Sequence, residues 1–132
     1  MEIPVELAQI IINEEADQQI IVLRELDGQH RGFPIVIGMG EILAIDRRLK
    51  GIAWPRPLTH DLLEQVIEQL DGNILKVVIS DLRDHTFFAT IHIQRDGEII
   101  EVDSRPSDAI ALSTGLDVPL FVDDQVFNKL SM

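Results

Sequence analysis

The sequence predicts an α+β protein in which helices pack on a mixed, mainly antiparallel sheet. Three observations predict this class. Short β-branched runs bounded by polar turns indicate strands, and apolar stripes at helical spacing indicate helices. The two halves also align at an offset of 67 residues, with strand-then-helix order in each. We therefore expect a single domain over 1–132, built from two β-β-β-α units in repeats of about 1–66 and 67–132.

The first half is predicted to contain three strands followed by two helices. The apolar run at 20–23 is typical of a strand, and Asp27-Gly28 marks the turn after it. Gly51 is expected to end the first helix, and Thr59 is the predicted N-cap of the second. The predicted strands are 2–12, 19–26 and 33–37, and the predicted helices are 40–49 and 59–70.

The second half is predicted to repeat the three strands and one helix and to add a final strand. Asp96-Gly97 between alternating strands is a strong hairpin signal. Pro106 favours the first turn of a helix, which Gly115 is expected to end. The predicted strands are 74–82, 86–94, 98–102 and 119–122, the predicted helix is 106–115, and a short polar tail follows.

Composition excludes several classes of site. The 132 residues include 11 Lys and Arg against 23 Asp and Glu, a formal net charge of -12, which argues against simple electrostatic capture of nucleic acid or anionic membranes. The absence of cysteine excludes disulfides, thiolate metal sites and cysteine nucleophiles. Without a phosphate-binding glycine loop, a dinucleotide fingerprint or histidines at zinc-site spacing, we expect no nucleotide or organic cofactor and no structural zinc. Without a signal segment or a long apolar run, we expect a cytoplasmic protein that does not engage membranes.

The segment 102–112 carries the most distinctive group of residues suited to chemistry. Asp103, Arg105 and Asp108 surround a strand end and a proline-started helix, whose free backbone N–H groups suit a phosphate or a carboxylate. Asp103 and Asp108 can together hold a divalent cation, because hard cations prefer several oxygen ligands. The alternative is structural: Ser104 or Asp108 caps the helix, and Arg105 bridges to an acid.

His60 is the histidine best placed for proton transfer. It lies next to a predicted helix start and beside Asp61, which can orient the imidazole. The alternative is that Thr59 caps this helix and His60 points to solvent.

The stretch from Arg47 to His60 contains four basic residues and no acidic residue. In a protein of net charge -12, it is a candidate contact for a polyanion, and the tryptophan within it can stack on a nucleobase. Alternatively, the basic residues complement the dipole of a helix end and the tryptophan is buried in the core. The candidate substrate-binding residues are Arg47, Arg48, Lys50, Trp54 and Arg56.

Four motifs resemble the bifunctional nuclease family and occur in the family's order and spacing. The most recognisable is DSRPSDAIAL at 103–112, and RPLTHDL lies upstream at 56–62. A middle segment combines ISDL at 79–82 with TFFA at 86–89, and PLFV at 119–122 lies near the end. The resemblance covers nearly the whole chain.

The resemblance implies an α+β fold with an internal duplication, and a nuclease that degrades DNA and RNA. On this hypothesis Asp103 and Asp108 bind a divalent cation, Mg²⁺ or Mn²⁺, or position water. Arg105 neutralises the phosphate and His60 transfers a proton. Glu41, the repeat mate of Asp108, is a further candidate metal ligand.

Two other functions stay open at this point. One is a non-enzymatic binding or regulatory module of the same fold, in which Arg105 is tied to a carboxylate as a folding signature. The other is a small anion-binding domain that uses the same helix start. The edge strands of such a sheet can pair with a second copy, so a homodimer is compatible with the sequence.

Overall fold

Seven strands and four helices make up the computed structural model, which describes residues 1–132. The strands are β1 (Glu2–Ile11), β2 (Gln18–Glu25), β3 (Gly32–Gly38), β4 (Asn73–Arg83), β5 (Thr86–Arg95), β6 (Glu98–Ser104) and β7 (Leu120–Asp123). The helices are α1 (Met39–Lys50), α2 (Thr59–Gln69), α3 (Pro106–Leu116) and α4 (Asp124–Leu130). The predicted strands and the first three helices are confirmed, with ends that differ by at most two residues. None of the helices has the length and apolar character needed to cross a membrane.

All seven strands form one sheet in the order β3-β2-β1-β7-β4-β5-β6. Neighbouring strands are antiparallel except β4 and β7, which run parallel in the register Val77↔Leu120. This arrangement confirms the α+β class and the mixed, mainly antiparallel sheet. The order strand-strand-strand-helix occurs twice, and β7 lies at the centre of the sheet between the two sets of strands.

The sheet curves around a core to which three helices contribute. Phe33 of β3 and Phe87 of β5 lie on the first and sixth strands of the sheet order, yet their rings stack with centroids 5.3 Å apart. Phe127 of α4 packs edge-on against Phe33 at 5.4 Å. The curvature therefore brings the free edge of β3 close to the turn between β4 and β5. The fully buried helix residues in this core are Ile42, Ile45, Ala109, Ile110, Ala111, Leu112 and Val126.

The segment after the last strand is a helix rather than the predicted polar tail. Asp123 caps α4 by accepting a hydrogen bond from the Gln125 N–H at 3.1 Å. Val126 and Phe127 are buried in the core. Three apolar residues in a seven-residue helix are too few to show helical periodicity, which is why the sequence pattern missed this helix.

The start of α2 also differs from the prediction. Leu58, not Thr59, is the N-cap residue, and its N–H donates to the Asp61 carboxylate at 3.1 Å. An acid at the third helical position can satisfy the backbone donor of the cap in this way. Asp61 is thereby committed to the backbone of its own helix start.

Arg48 connects the three longer helices from inside the protein. Its side chain is 4% exposed, its Nε donates to the Ala111 carbonyl of α3 at 2.7 Å, and its Nη1 donates to Asp61 of α2 at 2.6 Å. Glu64 of α2 also pairs with this guanidinium. Burial lowers the pKa of Arg48, and Asp61 opposes that shift by stabilising the charge.

Gly115→Ala is expected to destabilise the protein by about 1–3 kcal/mol, although alanine favours helices over glycine. A Cβ at Gly115 would overlap the Arg48 guanidinium, which cannot move without losing its contacts to Ala111 and Asp61. Gly40→Ala is the matched control, because Gly40 also lies in a helix, α1, and a Cβ at this position would meet nothing within 4 Å. Urea unfolding should show the control unchanged or stabilised by up to about 1 kcal/mol. Equal stability of Gly115→Ala and wild type would contradict this position of Arg48.

Candidate functional site

The first turns of three helices meet at one place on the surface. Glu41 lies in the first turn of α1, His60 in that of α2 and Asp108 in that of α3. Arg105, the N-cap residue of α3, contacts both carboxylates. Helix starts carry unpaired N–H groups and the positive end of the helix dipole, so they suit carboxylates and other anions. The structure thus brings together four of the residues that the sequence singled out.

Arg105 joins the two acidic side chains. Its Nε and Nη2 donate to Asp108 at 3.0 and 3.3 Å, and its Nη1 donates to Glu41 at 3.2 Å. These contacts raise the pKa of Arg105, chiefly through the hydrogen bond to Asp108. A guanidinium has five N–H donors, so two remain for a ligand, and the side chain is 64% exposed. Arg105 therefore bridges to acids, as one sequence interpretation proposed, and still presents donors to solvent.

His60 is held by Asp108 and not by its sequence neighbour Asp61. Its Nε2 lies 2.9 Å from Asp108 Oδ1, and its side chain is only 13% exposed. Because an ionised carboxylate only accepts hydrogen bonds, we assign the proton of the neutral ring to Nε2. Nδ1 is then the nitrogen that can accept a proton. The interpretation in which His60 points to solvent is wrong.

Asp108 is the acid on which this group depends. Burial alone would raise the pKa of Asp108, but the hydrogen bonds from Arg105 and His60 outweigh that effect and lower it. Asp108 therefore stays ionised into the acidic range and orients His60 throughout the neutral range.

Asp103 lies apart from this group. It pairs with Thr90 across β5 and β6, and Thr90 alternates along β5 with the core residues Ala89 and Ile91. Successive residues of a strand point to opposite faces, so Asp103 lies on the face opposite the core. It is exposed and forms no hydrogen bond or ion pair with another side chain. The structure therefore does not form the predicted Asp103–Asp108 cation site.

The residues of the site do not fit a metal ion in this arrangement. Arg105 and His60 engage both oxygens of Asp108, and Arg105 also engages one oxygen of Glu41. The guanidinium thus lies between the carboxylates where a shared cation would have to bind. No group of three or more His, Cys, Asp or Glu side chains is arranged to hold an ion. A requirement for Mg²⁺ or Mn²⁺ stays a prediction from the sequence.

Most of the predicted basic surface is paired within the protein. Arg48 is buried, and Nη2 of Arg47 lies 3.3 Å from Asp61. Lys50 pairs at 2.9 Å with an acid one turn earlier in α1. Arg56 is exposed and forms no ion pair. Acids of α2 pair with the buried guanidinium of Arg48, so its contact with substrate stays a prediction from the sequence.

Trp54 lies on the surface and not in the core. Trp54 is 59% exposed and lines a cavity of about 700 Å³, which we call the Trp54 cavity. Leu43 and Leu58 line the same cavity, together with His60 and Arg105. An aromatic ring and two leucines therefore share one cavity with the polar residues of the site.

The contact between His60 and Asp108 joins residues 48 positions apart, and sequence neighbours gave no sign of it. The internal alignment did contain part of the answer. Glu41 and Asp108 are mates at the offset of 67 residues, and both contact Arg105 in the structure. The alignment had therefore already indicated Glu41 as a partner of Asp108 in one carboxylate site, although as a metal ligand and not as a partner of Arg105.

Most of the chain is similar to known proteins. The sequence model described as bifunctional nuclease domain matches residues 21–132. The chain is also similar to an uncharacterized protein of Mycobacterium tuberculosis, with 37% identity over 128 residues, which cover 97% of this chain and 76% of that protein.

Rice proteins named as nucleases are more distant relatives. Bifunctional nuclease 1 of Oryza sativa subsp. japonica is 24% identical over 118 residues, which cover 87% of this chain and 36% of the rice protein. Bifunctional nuclease 2 of the same rice is 27% identical over 114 residues, which cover 84% of this chain and 35% of that protein. The chain thus spans about a third of each rice protein.

Asp108→Asn is expected to lower the melting temperature by about 2–5 °C at neutral pH and to have no effect in strong acid. Because the folded-state pKa of Asp108 is lowered, its contacts stabilise the fold fully above the ordinary pKa of about 3.9 and are lost as the pH falls through the lowered value. The melting temperatures of the wild type and of Asp108→Asn, measured from about pH 7 to about pH 2, should therefore converge as the pH falls. Asp103→Asn is the control, since Asp103 has no such partner. A pH-independent difference for Asp108→Asn would contradict this account.

Proposed function

The chain belongs to the bifunctional nuclease domain family, and from this premise we propose that it hydrolyses phosphodiester bonds of DNA and RNA where Arg105 and His60 meet. The observation that carries the proposal is the contact of His60 Nε2 with Asp108 Oδ1 at 2.9 Å, beside Arg105, whose side chain is 64% exposed. A general base held in one orientation, next to a guanidinium with free N–H donors, is the arrangement that attack of water on a phosphodiester requires.

Arg105 binds the phosphate in this proposal. Its two free N–H donors can contact two oxygens of one phosphodiester. The N–H groups of Ser107 and Asp108 in the first turn of α3 add a positive dipole end at the same place. Glu41 and Asp108 hold the guanidinium in position, so it need not reorganise as charge develops on the phosphate oxygens.

His60 acts as the general base. Nδ1 accepts a proton from a water molecule while the water oxygen forms a bond to phosphorus. The bond from phosphorus to the leaving oxygen breaks, its electron pair stays with that oxygen, and the oxygen takes up a proton from solvent. Asp108 stabilises the imidazolium that forms. No step uses a metal, and measurement of activity with Mg²⁺, with Mn²⁺ and with EDTA tests whether a cation is needed as well.

Trp54 binds a base next to that phosphate. Its exposed ring can stack on an unpaired base, and stacking does not distinguish bases or sugars strongly. Leu43 and Leu58 extend the apolar wall. This contact supplies affinity that does not depend on net charge, which matters in a protein whose formal charge is -12.

The ties of Arg105 to Glu41 and Asp108 also support the non-enzymatic alternative, in which this motif only stabilises the fold. The two functions differ in what Arg105→Ala changes. A folding signature predicts a large loss of melting temperature and no cleavage by the wild type. A nuclease predicts cleavage that the variant loses while it stays folded.

His60→Gln is expected to lower kcat/KM for cleavage of labelled oligonucleotides by about 10²–10³-fold, because glutamine cannot serve as the base. Arg105→Lys should lose a similar factor, since lysine cannot replace a guanidinium that contacts two acids and a phosphate at once. Initial rates on single- and double-stranded DNA and RNA measure both effects, with protein from one monodisperse peak.

Asp103→Asn is the matched control for these rates, because Asp103 lies on the opposite face of the sheet. We expect the control to cleave at the wild-type rate. Loss of cleavage in Asp103→Asn equal to that in His60→Gln would move the site away from Arg105. Undiminished cleavage in folded His60→Gln would remove His60 from the mechanism.

Trp54→Ala is expected to raise the Kd for a single-stranded oligonucleotide by about 5- to 100-fold, through loss of one stacking contact. Leu62→Ala is the control, since Leu62 is similarly exposed and does not line the Trp54 cavity. Fluorescence anisotropy of a labelled oligonucleotide gives both values. An equal effect of the two substitutions would show that Trp54 has no specific role in binding.

A further inference from the structure

A second cavity, of about 470 Å³, opens at Arg105 between the edge strand β3 and the turn from β4 to β5. We call it the β3 cavity; its walls include Pro34, Val36, His85, Thr86 and Ser107. Glu41 and Arg105 line both this cavity and the Trp54 cavity. The two cavities therefore share Glu41 and Arg105 and extend from these residues toward different elements, one toward α2 and the other toward β3.

This arrangement matches the shape of a phosphodiester inside a chain. Such a phosphate carries one nucleoside on each side, and the Trp54 cavity accounts for only one of them. The β3 cavity is the second space that starts at the same guanidinium, and its volume lies within the range of small-molecule binding sites.

The walls of the β3 cavity differ chemically from those of the Trp54 cavity. β3 is an edge strand, so one side of its backbone presents unpaired N–H and C=O groups. His85 and Thr86 are exposed and carry hydrogen-bond donors. Phe87 is stacked on Phe33, so its ring is committed to the core. The cavity therefore suits a sugar and a phosphate, which form hydrogen bonds, better than a base that needs a free aromatic ring.

Resting on the proposed function, we propose that the β3 cavity binds the sugar-phosphate of the nucleotide on the far side of the scissile phosphate from Trp54. Thr86 contacts the sugar, and the His85 imidazole donates to the next phosphate along the strand. The substrate is then a strand that crosses Arg105, with a stacked base in one cavity and a hydrogen-bonded backbone in the other.

The test compares a substrate that fills the β3 cavity with one that does not. A single-stranded oligonucleotide places nucleotides on both sides of the phosphate, whereas bis(4-nitrophenyl) phosphate has no nucleotide to place there. His85→Ala and, separately, Thr86→Val are expected to lower kcat/KM for the oligonucleotide by about 3- to 10-fold, as loss of one hydrogen bond implies. Both variants should hydrolyse bis(4-nitrophenyl) phosphate at the wild-type rate.

His30→Ala is the matched control for His85→Ala. His30 is also an exposed histidine in a connection between two strands, with φ 54° against 64° for His85, so alanine meets the same backbone cost at both positions. His30 lines neither cavity. We expect this control to cleave the oligonucleotide like the wild type.

Three results would overturn the inference: oligonucleotide cleavage unchanged in both variants, equal losses on both substrates, or an equal loss in His30→Ala. A wild type that hydrolyses neither substrate would contradict the proposed nuclease function instead. The subsite is then decided by anisotropy with the same oligonucleotide. A Kd raised 3- to 10-fold in His85→Ala supports it, and an unchanged Kd overturns it.

Discussion

The relative placement of α1, α2 and α3 depends on one buried charged group, the guanidinium of Arg48. Arg48 is anchored in α1, donates to the Ala111 carbonyl of α3 and pairs with Asp61 and Glu64 of α2. Removal of one partner from a buried ion pair costs about 3–5 kcal/mol, so loss of Asp61 or Glu64 would strongly destabilise this arrangement. α2 has no buried residue of its own, and its packing on the rest of the protein therefore relies heavily on this contact.

The site is a consequence of that constraint. Arg48 fixes Asp61 of α2, and His60 is the residue next to it. The same guanidinium fixes α3, whose first turn carries Asp108. The 2.9 Å contact between His60 and Asp108 therefore depends on a cation in the protein interior that need not touch substrate. Arg105 completes the group by neutralising two carboxylates in a protein that already carries an excess of acid.

Elements whose signal is local could be predicted from the sequence, and contacts between distant elements could not. The β-branched runs and the proline at the start of α3 placed strands and helices to within two residues. The central position of β7 could not be predicted from the sequence, because the residues of a four-residue strand do not specify which two strands pair with it. Arg48 was interpreted as a surface base for a similar reason: its acidic partners begin 13 residues later, outside the local charge pattern. The motif at 103–108 predicted the start of α3. Asp103 precedes this helix in β6, where the alternation of side chains places it on the face of the sheet opposite the core.

The most direct test of the account is the protonation state of the His60 ring in solution. A long-range ¹H–¹⁵N spectrum of the labelled protein, assigned with His60→Gln and recorded at about pH 8, where histidines are ordinarily neutral, reports which nitrogen carries the proton. The contact with Asp108 predicts a proton on Nε2, and the role of His60 as the base predicts a bare Nδ1 whose resonance shifts when a single-stranded oligonucleotide is added. A proton on Nδ1, or a His60 spectrum that the oligonucleotide leaves unchanged, would contradict it.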